Sequence, residues 1–260
     1  MEIRRNWSWE EILMAFALYF LLDPKHIDGK QRDVSALAHA IGRTPSSVAL
    51  KIANISAHDA NRLAEGKVGL SHGSKFDSMI WDSYSEEGDA LLETALNLLR
   101  ETLQADNTRV VSLEYVTIGL QDIPEGKEKM ALVKQRVNQQ YFRKTLLENY
   151  LHKCCITGLS VDQLLIASHI KPWEKSNPLE RLAASNGLLL NALHDRAFDK
   201  GLITIDQEFK LHVSRNVKRT PETSQWLWSF EGKEIYTPPT NKPGKQFIEY
   251  HNDCIFNRST

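Results

Sequence analysis

The stretch that decides the fold is Ala167-Ser168-His169-Ile170-Lys171-Pro172-Trp173, followed by Ser185-Asn186-Gly187-Leu188-Leu189-Leu190 and by Leu193-His194-Asp195-Arg196-Ala197-Phe198-Asp199. The separations leave room for a strand, a loop, a second short strand and a helix. We predict that His169 ends the first strand and that Asn186 opens the second. His194 and Asp195 would then lie in the first turn of the helix.

These motifs resemble an HNH nuclease domain of the variety whose first histidine sits in an Ala-Ser-His-Ile-x-Pro-Trp motif. The resemblance covers about half of the chain, and its remaining segments are Gln135-Arg136-Val137-Asn138-Gln139, Phe142-Arg143, Cys154-Cys155-Ile156-Thr157-Gly158, Gly201-Leu202-Ile203-Thr204-Ile205-Asp206, Pro238-Pro239 and Tyr250-His251. It implies a ββα-metal fold like that of bacterial restriction endonucleases, with double-stranded DNA as substrate.

The implied chemistry is hydrolysis of a phosphodiester, in which water must be deprotonated and charge must be neutralised on the phosphate and on the leaving 3′ oxygen. His169 is the expected general base, because an imidazole near its ordinary pKa accepts a proton at neutral pH. Asn186 would brace the loop that orients this base. His194 is the expected metal ligand, and Mg²⁺ or Mn²⁺ is the expected ion.

One position departs from the family pattern. Many HNH domains carry an aspartate or histidine directly before the base as a second metal ligand, and Ser168 stands there instead. We expect Asp195, and as second choice Asp199, to supply the missing charge, because hard cations prefer carboxylate oxygens. Two structural alternatives stay open: Asp195 could stabilise the helix N-terminus, and Asp199 could pair with a neighbouring Arg196 or Lys200.

The cysteines do not fit the zinc site of some HNH domains, which use two Cys-x-x-Cys pairs. Cys154 and Cys155 are neighbours in sequence, and the third cysteine, Cys254, is remote from both. A four-thiolate site is therefore impossible, and we expect no structural zinc.

Basic residues near this segment are candidates for gripping the DNA backbone, which contributes affinity without sequence information. They are Arg143, Lys144, Lys171 and Arg196.

The N-terminal part reads as helical. Ser8-Trp9-Glu10-Glu11 is a capping box for an apolar helix that should stop near Asp23-Pro24. A helix over 33–41, a turn at Gly42 and a helix capped by Thr44 form the outline of a helix-turn-helix. Its second helix would present to DNA Arg43, Ser46, Ser47 and Lys51. Any helical hairpin of an all-α domain gives the same pattern, although Gly42 to Val48 also resembles the domain that accompanies such nucleases.

Between the two parts, a helix from about Glu86 to Leu103 should close the first domain. Residues 107–126 look like a strand-bearing connector, since Val110 to Val116 is rich in β-formers. Lys127 to Tyr150 contains neither Gly nor Pro and predicts one long basic helix. We thus predict an α+β protein with a helical, helix-turn-helix-like domain over 1–105, a connector over 106–126 and an HNH nuclease domain over 127–260.

Composition and charge set outer limits. The chain has 260 residues, of which 42% are hydrophobic and 25% charged, which excludes a disordered or collagenous chain. The longest apolar run, Ile12 to Leu22, is too short to span a membrane. The segment before it does not resemble a secretory signal, so we expect a cytoplasmic protein. The net charge of −1 hides an acidic run from Asp77 to Asp106 and a basic run from Lys127 to Lys153.

The prediction that combines these features is a metal-dependent DNA endonuclease, with restriction of foreign DNA as the role that the resemblance implies. One active site per chain would favour a homodimer on a palindromic target. The alternative is a DNA-binding regulator or interaction module on an inactive HNH fold, which Ser168 makes conceivable. A nicking or homing enzyme would keep the chemistry and change the biology.

Overall fold

The computed structural model describes residues 5–22, 27–66, 74–106, 111–117, 120 and 126–256. Its contacts divide the chain into two compact units, residues 1–141 and 142–260. Small antiparallel sheets occur in the second unit among many helices. Within the described ranges, no helix combines the length and the apolar character needed to cross a membrane.

The first unit is built around α1 (Trp9–Leu21). The predicted capping box is confirmed, because Ser8 Oγ accepts from the backbone of Glu11 and the Glu11 carboxylate accepts from the backbone of Ser8. Every residue from Glu11 to Leu21 is buried, as expected for a helix that is apolar on all faces. The predicted stop at Asp23-Pro24 lies outside the described residues, and the helix ends just before it.

The two helices of the predicted hairpin are confirmed as α2 (Arg32–Ala40) and α3 (Pro45–Ser56). Gly42 adopts a φ of 65°, a left-handed conformation that favours glycine and turns the chain between them. Thr44 caps α3 by accepting from Ser47 N at 3.2 Å. DNA binding by this hairpin stays a prediction.

Three helices follow in this unit: α4 (Ala60–Ala64), α5 (Lys75–Glu87) and α6 (Asp89–Ala105). The predicted helix over 86–103 is right in its body and wrong at its start. Gly88, with a φ of 50°, separates α5 from α6, so Glu86 and Glu87 belong to the earlier helix. The segment from Gly66 to Ser74 contains three glycines, which predict a wing or a surface connection, and most of it lies outside the described residues.

The strand predicted between Val110 and Val116 is wrong, because the chain forms α7 (Val111–Thr117) there. Tertiary contacts override a β-rich composition, which measures fit to a half-buried surface rather than a fixed backbone preference. The Asp33 carboxylate accepts from Ser112 N at 2.9 Å, near the beginning of α7. Val116 is buried, and its carbonyl accepts from Arg136 at 3.1 Å.

A buried ion pair joins α3 to α5. Lys51 Nζ lies 2.6 Å from Asp77 Oδ1, and the two side chains are 5% and 0% exposed. Replacing Lys51 by methionine would leave the carboxylate of Asp77 buried without its countercharge. We expect a loss of about 3 kcal/mol in the free energy of unfolding, measured by urea denaturation.

The matched control is Lys134→Met, because Lys134 Nζ lies 2.7 Å from Glu93 Oε2 in a pair that is 15% and 36% exposed. Solvent screens this second pair, so its loss is expected to cost under about 1 kcal/mol. Similar losses in both variants would contradict the structural role given to Lys51.

The predicted basic helix is confirmed as α8 (Lys127–Asn149), and its residues belong to both units. In the second unit, β1 (Leu165–His169) pairs antiparallel with β2 (Gly187–Asn191), with His169 opposite Gly187. Between them lies α9 (Pro178–Leu182), and after β2 follows α10 (Ala192–Asp199). The predicted order of strand, loop, strand and helix is therefore confirmed.

Gly187 allows α8 to approach the start of β2. A Cβ atom at this position would lie 2.6 Å from a methyl carbon of Leu146 and 2.7 Å from the ring of Phe142. The Asn-Gly sequence of the motif is thus explained by packing as well as by the turn.

The remaining strands and helices of the second unit follow α10 in the chain. They comprise β3 (Ile203–Ile205), β4 (Leu211–Val213), α11 (Pro221–Trp226) and α12 (Lys245–His251). β3 and β4 pair antiparallel. Residues of all these segments except α11 join one hydrophobic core with β1, β2 and α10, so the predicted site rests on a packed scaffold.

Candidate active site

His169 is held on three sides at the end of β1. Its ring stacks on Phe142, with ring centres 3.8 Å apart and planes 10° apart. The ring of Trp173 meets it edge-on at 5.7 Å. Its Nε2 lies 3.0 Å from the carbonyl oxygen of Arg181. These contacts fix both the position and the rotation of the imidazole.

The hydrogen bond also decides which nitrogen carries the proton. A carbonyl oxygen only accepts, so Nε2 of His169 must donate to Arg181. In the neutral ring, Nδ1 then holds the lone pair. Burial lowers the pKa of His169 below its ordinary 6.5, although the bond to the carbonyl opposes the shift. The imidazole is therefore neutral at pH 7 and can accept a proton at Nδ1.

Asn186 is fully buried just before β2 and ties the intervening loop together. Its Oδ1 accepts from Lys171 N at 2.8 Å. Its Nδ2 lies within hydrogen-bond distance of the carbonyls of Lys171 and Glu180 and of Ser176 Oγ. The Glu180 carbonyl directly precedes the Arg181 carbonyl that holds His169, so Asn186 fixes the loop next to the anchor of this ring.

Replacing Asn186 by alanine is expected to destabilise the protein by about 2 kcal/mol, because buried polar groups of the loop lose their partners. Asn216→Ala is the control, since Asn216 is exposed and its side chain makes no hydrogen bond in the described part of the chain. Chemical denaturation measures both. An unchanged unfolding free energy for Asn186→Ala would contradict the bracing role.

His194 lies in the first turn of α10, as predicted, and is fully buried. Its Nε2 donates to the carbonyl of Trp226 at 3.0 Å, and its Nδ1 lies 2.9 Å from Asn191 Oδ1. Burial lowers its pKa. Both ring nitrogens therefore face protein oxygens, and one would have to leave its partner before His194 could bind a metal ion.

The two aspartates of α10 are one helical turn apart. Burial raises the pKa of Asp195, and the nearby Ser168 hydroxyl and Arg196 partly offset this rise. The pKa of Asp199 is raised by burial and then by the charge of Asp195. Asp199 is exposed by surface area, so solvent weakens the effect there. Two carboxylates that repel each other favour a cation between or beside them.

Ser168 adds an oxygen atom near this pair. Its Oγ is buried and has no partner in hydrogen-bond geometry within the described ranges, although the hydroxyl is near enough to Asp195 to lower its pKa. A buried polar atom without a partner is unusual and calls for an explanation such as an ion or water. Among the described residues, no three His, Cys, Asp or Glu side chains group to hold a metal.

The residues predicted to contact DNA have diverse surroundings. In the first unit, the Arg43 side chain is 9% exposed, donates to both Glu11 carboxylate oxygens and lies over the Trp7 ring, while Lys51 is buried with Asp77. Ser46 is exposed and Ser47 half-buried. Arg43 and Lys51 therefore both form ion pairs within the first unit.

In the second unit, Arg143 donates to the carbonyls of Leu165 and Asp162 at 2.5 and 2.7 Å. Lys171 Nζ lies 2.7 Å from Glu180 Oε2. Lys144 is half-buried, and Arg196 is exposed beside the α10 aspartates. Arg143 therefore orders the beginning of β1. DNA binding by these residues stays a prediction.

The cysteines are all free thiols. Cys154 and Cys155 lie in the hydrophobic core, where burial raises the pKa of the Cys155 thiol. Cys155 N donates to the Leu189 carbonyl at 2.8 Å, which ties this segment to β2.

Three important contacts were absent from the sequence-based prediction of the site. They are the Arg181 carbonyl behind His169, the Phe142 ring on its face and the Trp226 carbonyl behind His194. Two of them are backbone atoms, which carry no residue-type signal. Phe142 was included in the resemblance, but only as part of a motif.

Comparison with known proteins adds one result. Residues 154–206 match the sequence model of a family described as HNH endonuclease. This range contains His169, Asn186, His194 and both aspartates of α10. The match confirms the resemblance of this segment to that family. No curated protein matches the chain.

Proposed function

We propose, on the premise that residues 154–206 form an HNH endonuclease domain, that this chain hydrolyses phosphodiester bonds in double-stranded DNA with the help of a divalent metal ion. The observation that carries the proposal is the immobilised neutral imidazole of His169, whose Nε2 proton is committed to the Arg181 carbonyl. A general base needs this combination of a fixed position and an available lone pair.

In the proposed reaction, Nδ1 of His169 takes a proton from the attacking water. Stacking on Phe142 and the edge of Trp173 limit rotation of the ring, so the lone pair keeps one direction. Asn186 acts through the loop that carries the Arg181 carbonyl, as a positioning residue. Together these groups lower the entropic cost of bringing base and water into line.

The residues that would hold the metal are Asp195 and Asp199, with Ser168 Oγ as a neutral ligand. Their chemistry fits a hard cation, because positive charge favours the ionised form of both carboxylates, whose pKa values burial raises, and the buried Ser168 hydroxyl lies beside Asp195. Mg²⁺ or Mn²⁺ bound there would stabilise charge on the scissile phosphate and on the leaving 3′ oxygen. The hydrogen bonds of His194 to Asn191 and to the Trp226 carbonyl fix the first turn of α10, which carries Asp195.

The placement of these groups suits in-line displacement. Ser168 and His169 are adjacent in β1, so their side chains leave the strand on opposite faces. In an in-line reaction, the attacking and leaving oxygens lie on opposite sides of phosphorus. A base on one side of the strand end and carboxylates on the other serve these two positions.

A role in restriction of foreign DNA and assembly as a homodimer complete the proposal. The restriction role rests on the likeness of the motifs to bacterial restriction endonucleases. The dimer rests on symmetry, because two copies related by a two-fold axis place one site on each strand of a palindrome.

The second candidate is a DNA-binding module on an inactive HNH fold. It is favoured by Ser168 in the place of an acidic ligand and by the engagement of both ring nitrogens of His194. The two candidates differ in one measurable property, which is cleavage.

The test is incubation of the purified full chain with supercoiled plasmid in Mg²⁺, in Mn²⁺ and in excess EDTA. Nicked or linear product in either metal, absent in EDTA, is expected. Intact plasmid under all conditions, together with retained DNA binding, would favour the inactive module.

A further inference from the structure

A surface with unpaired positive charge lies between β4 and the end of α11. Residues 215–226 contain three basic residues, Arg215, Lys218 and Arg219, and a single acidic residue, Glu222. All three basic side chains are exposed, and none has an ion-pair partner in the part of the chain that the structure describes. By contrast, the Arg143 side chain donates to backbone carbonyls, and Lys171 forms an ion pair with Glu180.

An exposed aromatic ring lies at the other end of the same segment. Trp226 is 50% exposed, at the end of α11, a helix with no buried residue. From Arg219 to Trp226 the chain runs through the short helix α11, so the backbones of these two residues lie within about 15 Å of each other.

The segment is an ordered structure. The guanidinium of Arg219 lies over the Trp228 ring, 4.3 Å from its centre. Thr220 and Thr223 form a capping box at the start of α11, and Thr223 Oγ1 also donates to the Lys218 carbonyl at 2.6 Å. The exposed groups are therefore presented on a fixed backbone, which lowers the entropic cost of binding.

The same segment is attached to the helix of the candidate site. The Trp226 carbonyl accepts from His194 Nε2 at 3.0 Å, and the ring of Phe230 meets the His194 ring edge-on at 5.3 Å. His194 directly precedes Asp195. A strand bound along 215–226 would thus run beside the first turn of α10.

We infer that Arg215, Lys218, Arg219 and Trp226 form a contact surface for a DNA strand. The cations neutralise successive phosphates, and the indole stacks on a base that is unpaired or partly unstacked. The inference rests on the proposed function for the identity of the ligand, and it names the residues that hold the strand next to the site.

The experiment measures binding separately from cleavage. The full chain is titrated, in EDTA, into a fluorescein-labelled single-stranded DNA and into its duplex, and anisotropy is followed over a series of salt concentrations. For Arg215→Ala/Lys218→Ala, the slope of log K against log salt is expected to fall by about two. Lys242→Ala/Lys245→Ala, which removes two exposed lysines from another part of the same unit, is the matched control.

The aromatic contribution has its own variants. Trp226→Ala is expected to weaken binding to the single strand by about 5- to 100-fold. Trp226→Phe retains an aromatic face and is expected to recover most of this loss. Neither change removes the backbone carbonyl that holds His194, and the Trp226 side chain is half exposed, so the fold should persist; a thermal melt checks this.

Each outcome bears on one proposal. Equal salt slopes for the two double variants, or unchanged binding by Trp226→Ala, overturn the contact surface even if the wild-type protein cleaves plasmid. Loss of binding in the variants, with no cleavage by the wild type in any metal, leaves the surface in place and overturns the proposed nuclease.

Discussion

Replacing His169 by alanine is expected to slow plasmid cleavage by about 10²- to 10⁴-fold, the usual contribution of a positioned general base. The variant removes the lone pair at Nδ1 that the Arg181 carbonyl makes available. It leaves Asp195 and Asp199 in place, so affinity for the metal should change little. Initial rates of plasmid nicking in Mn²⁺ measure the effect.

The pH dependence of the wild-type rate provides a second readout of the same assignment. Because burial lowers the pKa of His169 below its ordinary 6.5, the base is unprotonated at neutral pH. The rate should therefore decline on the acidic side, as the base is protonated, with a midpoint below pH 6.5. If the rate declined with a midpoint above pH 6.5, the titrating group would not be His169.

His212→Ala is the matched control for the loss of a histidine. His212 lies in β4 and pairs with Asp206 at 2.8 Å and Glu231 at 3.1 Å, and these carboxylates raise its pKa against the opposing effect of burial. Its removal should leave the rate within about twofold, as expected for a surface change. Equal rates for wild type and His169→Ala would discard His169 as the base.

Local sequence signals predicted much of the secondary structure in both units. Ser8, Thr44 and Gly42 act on atoms only a few residues away, so their effects can be read from the sequence. The strand, loop, strand and helix order was equally accessible, because the motif residues occur at the ends of these elements. Composition alone failed at α7, where Asp33, far away in sequence, provides the partner for Ser112 N.

The environment of the site residues could not be read in the same way. The partner of His194 Nε2 is a backbone carbonyl 32 residues later, and any residue could have supplied it. Arg43 and Lys51 looked available for DNA because the sequence does not show that Glu11 and Asp77 face them. Burial and pairing are properties of the folded chain, and they decide whether a basic residue is structural or able to bind a partner.

The second large effect is expected at Asp195, in the proposed cation site. Asp195→Asn keeps the size of the side chain and removes its charge, so cleavage is expected to fall by on the order of 10³-fold, equivalent to several kcal/mol of lost charge stabilisation. Metal-induced stabilisation should fall with it. A thermal melt with and without Mn²⁺ measures this without reference to activity, since an ion that binds only the folded state raises Tm.

Without metal, Asp195→Asn is expected to be as stable as the wild type or more stable, whereas in Mn²⁺ it is expected to be less stable. The folded-state pKa of Asp195 is raised, so its contribution to stability is present at acidic pH and is lost as pH rises through that pKa. At pH 7 and without metal the charged carboxylate therefore slightly lowers stability, and the free energy of unfolding of Asp195→Asn should equal that of the wild type or exceed it by less than about 1 kcal/mol. Ser168→Ala should lose less of the Mn²⁺ stabilisation than Asp195→Asn, because a hydroxyl is a neutral ligand, and it should gain no stability without metal, because this hydroxyl favours the charged form of Asp195. If instead Asp195→Asn retains its Mn²⁺ shift while His194→Gln loses it with the fold intact, the ion is bound by the imidazole, as the motif first implied, and His194 must release Trp226 or Asn191 to bind it.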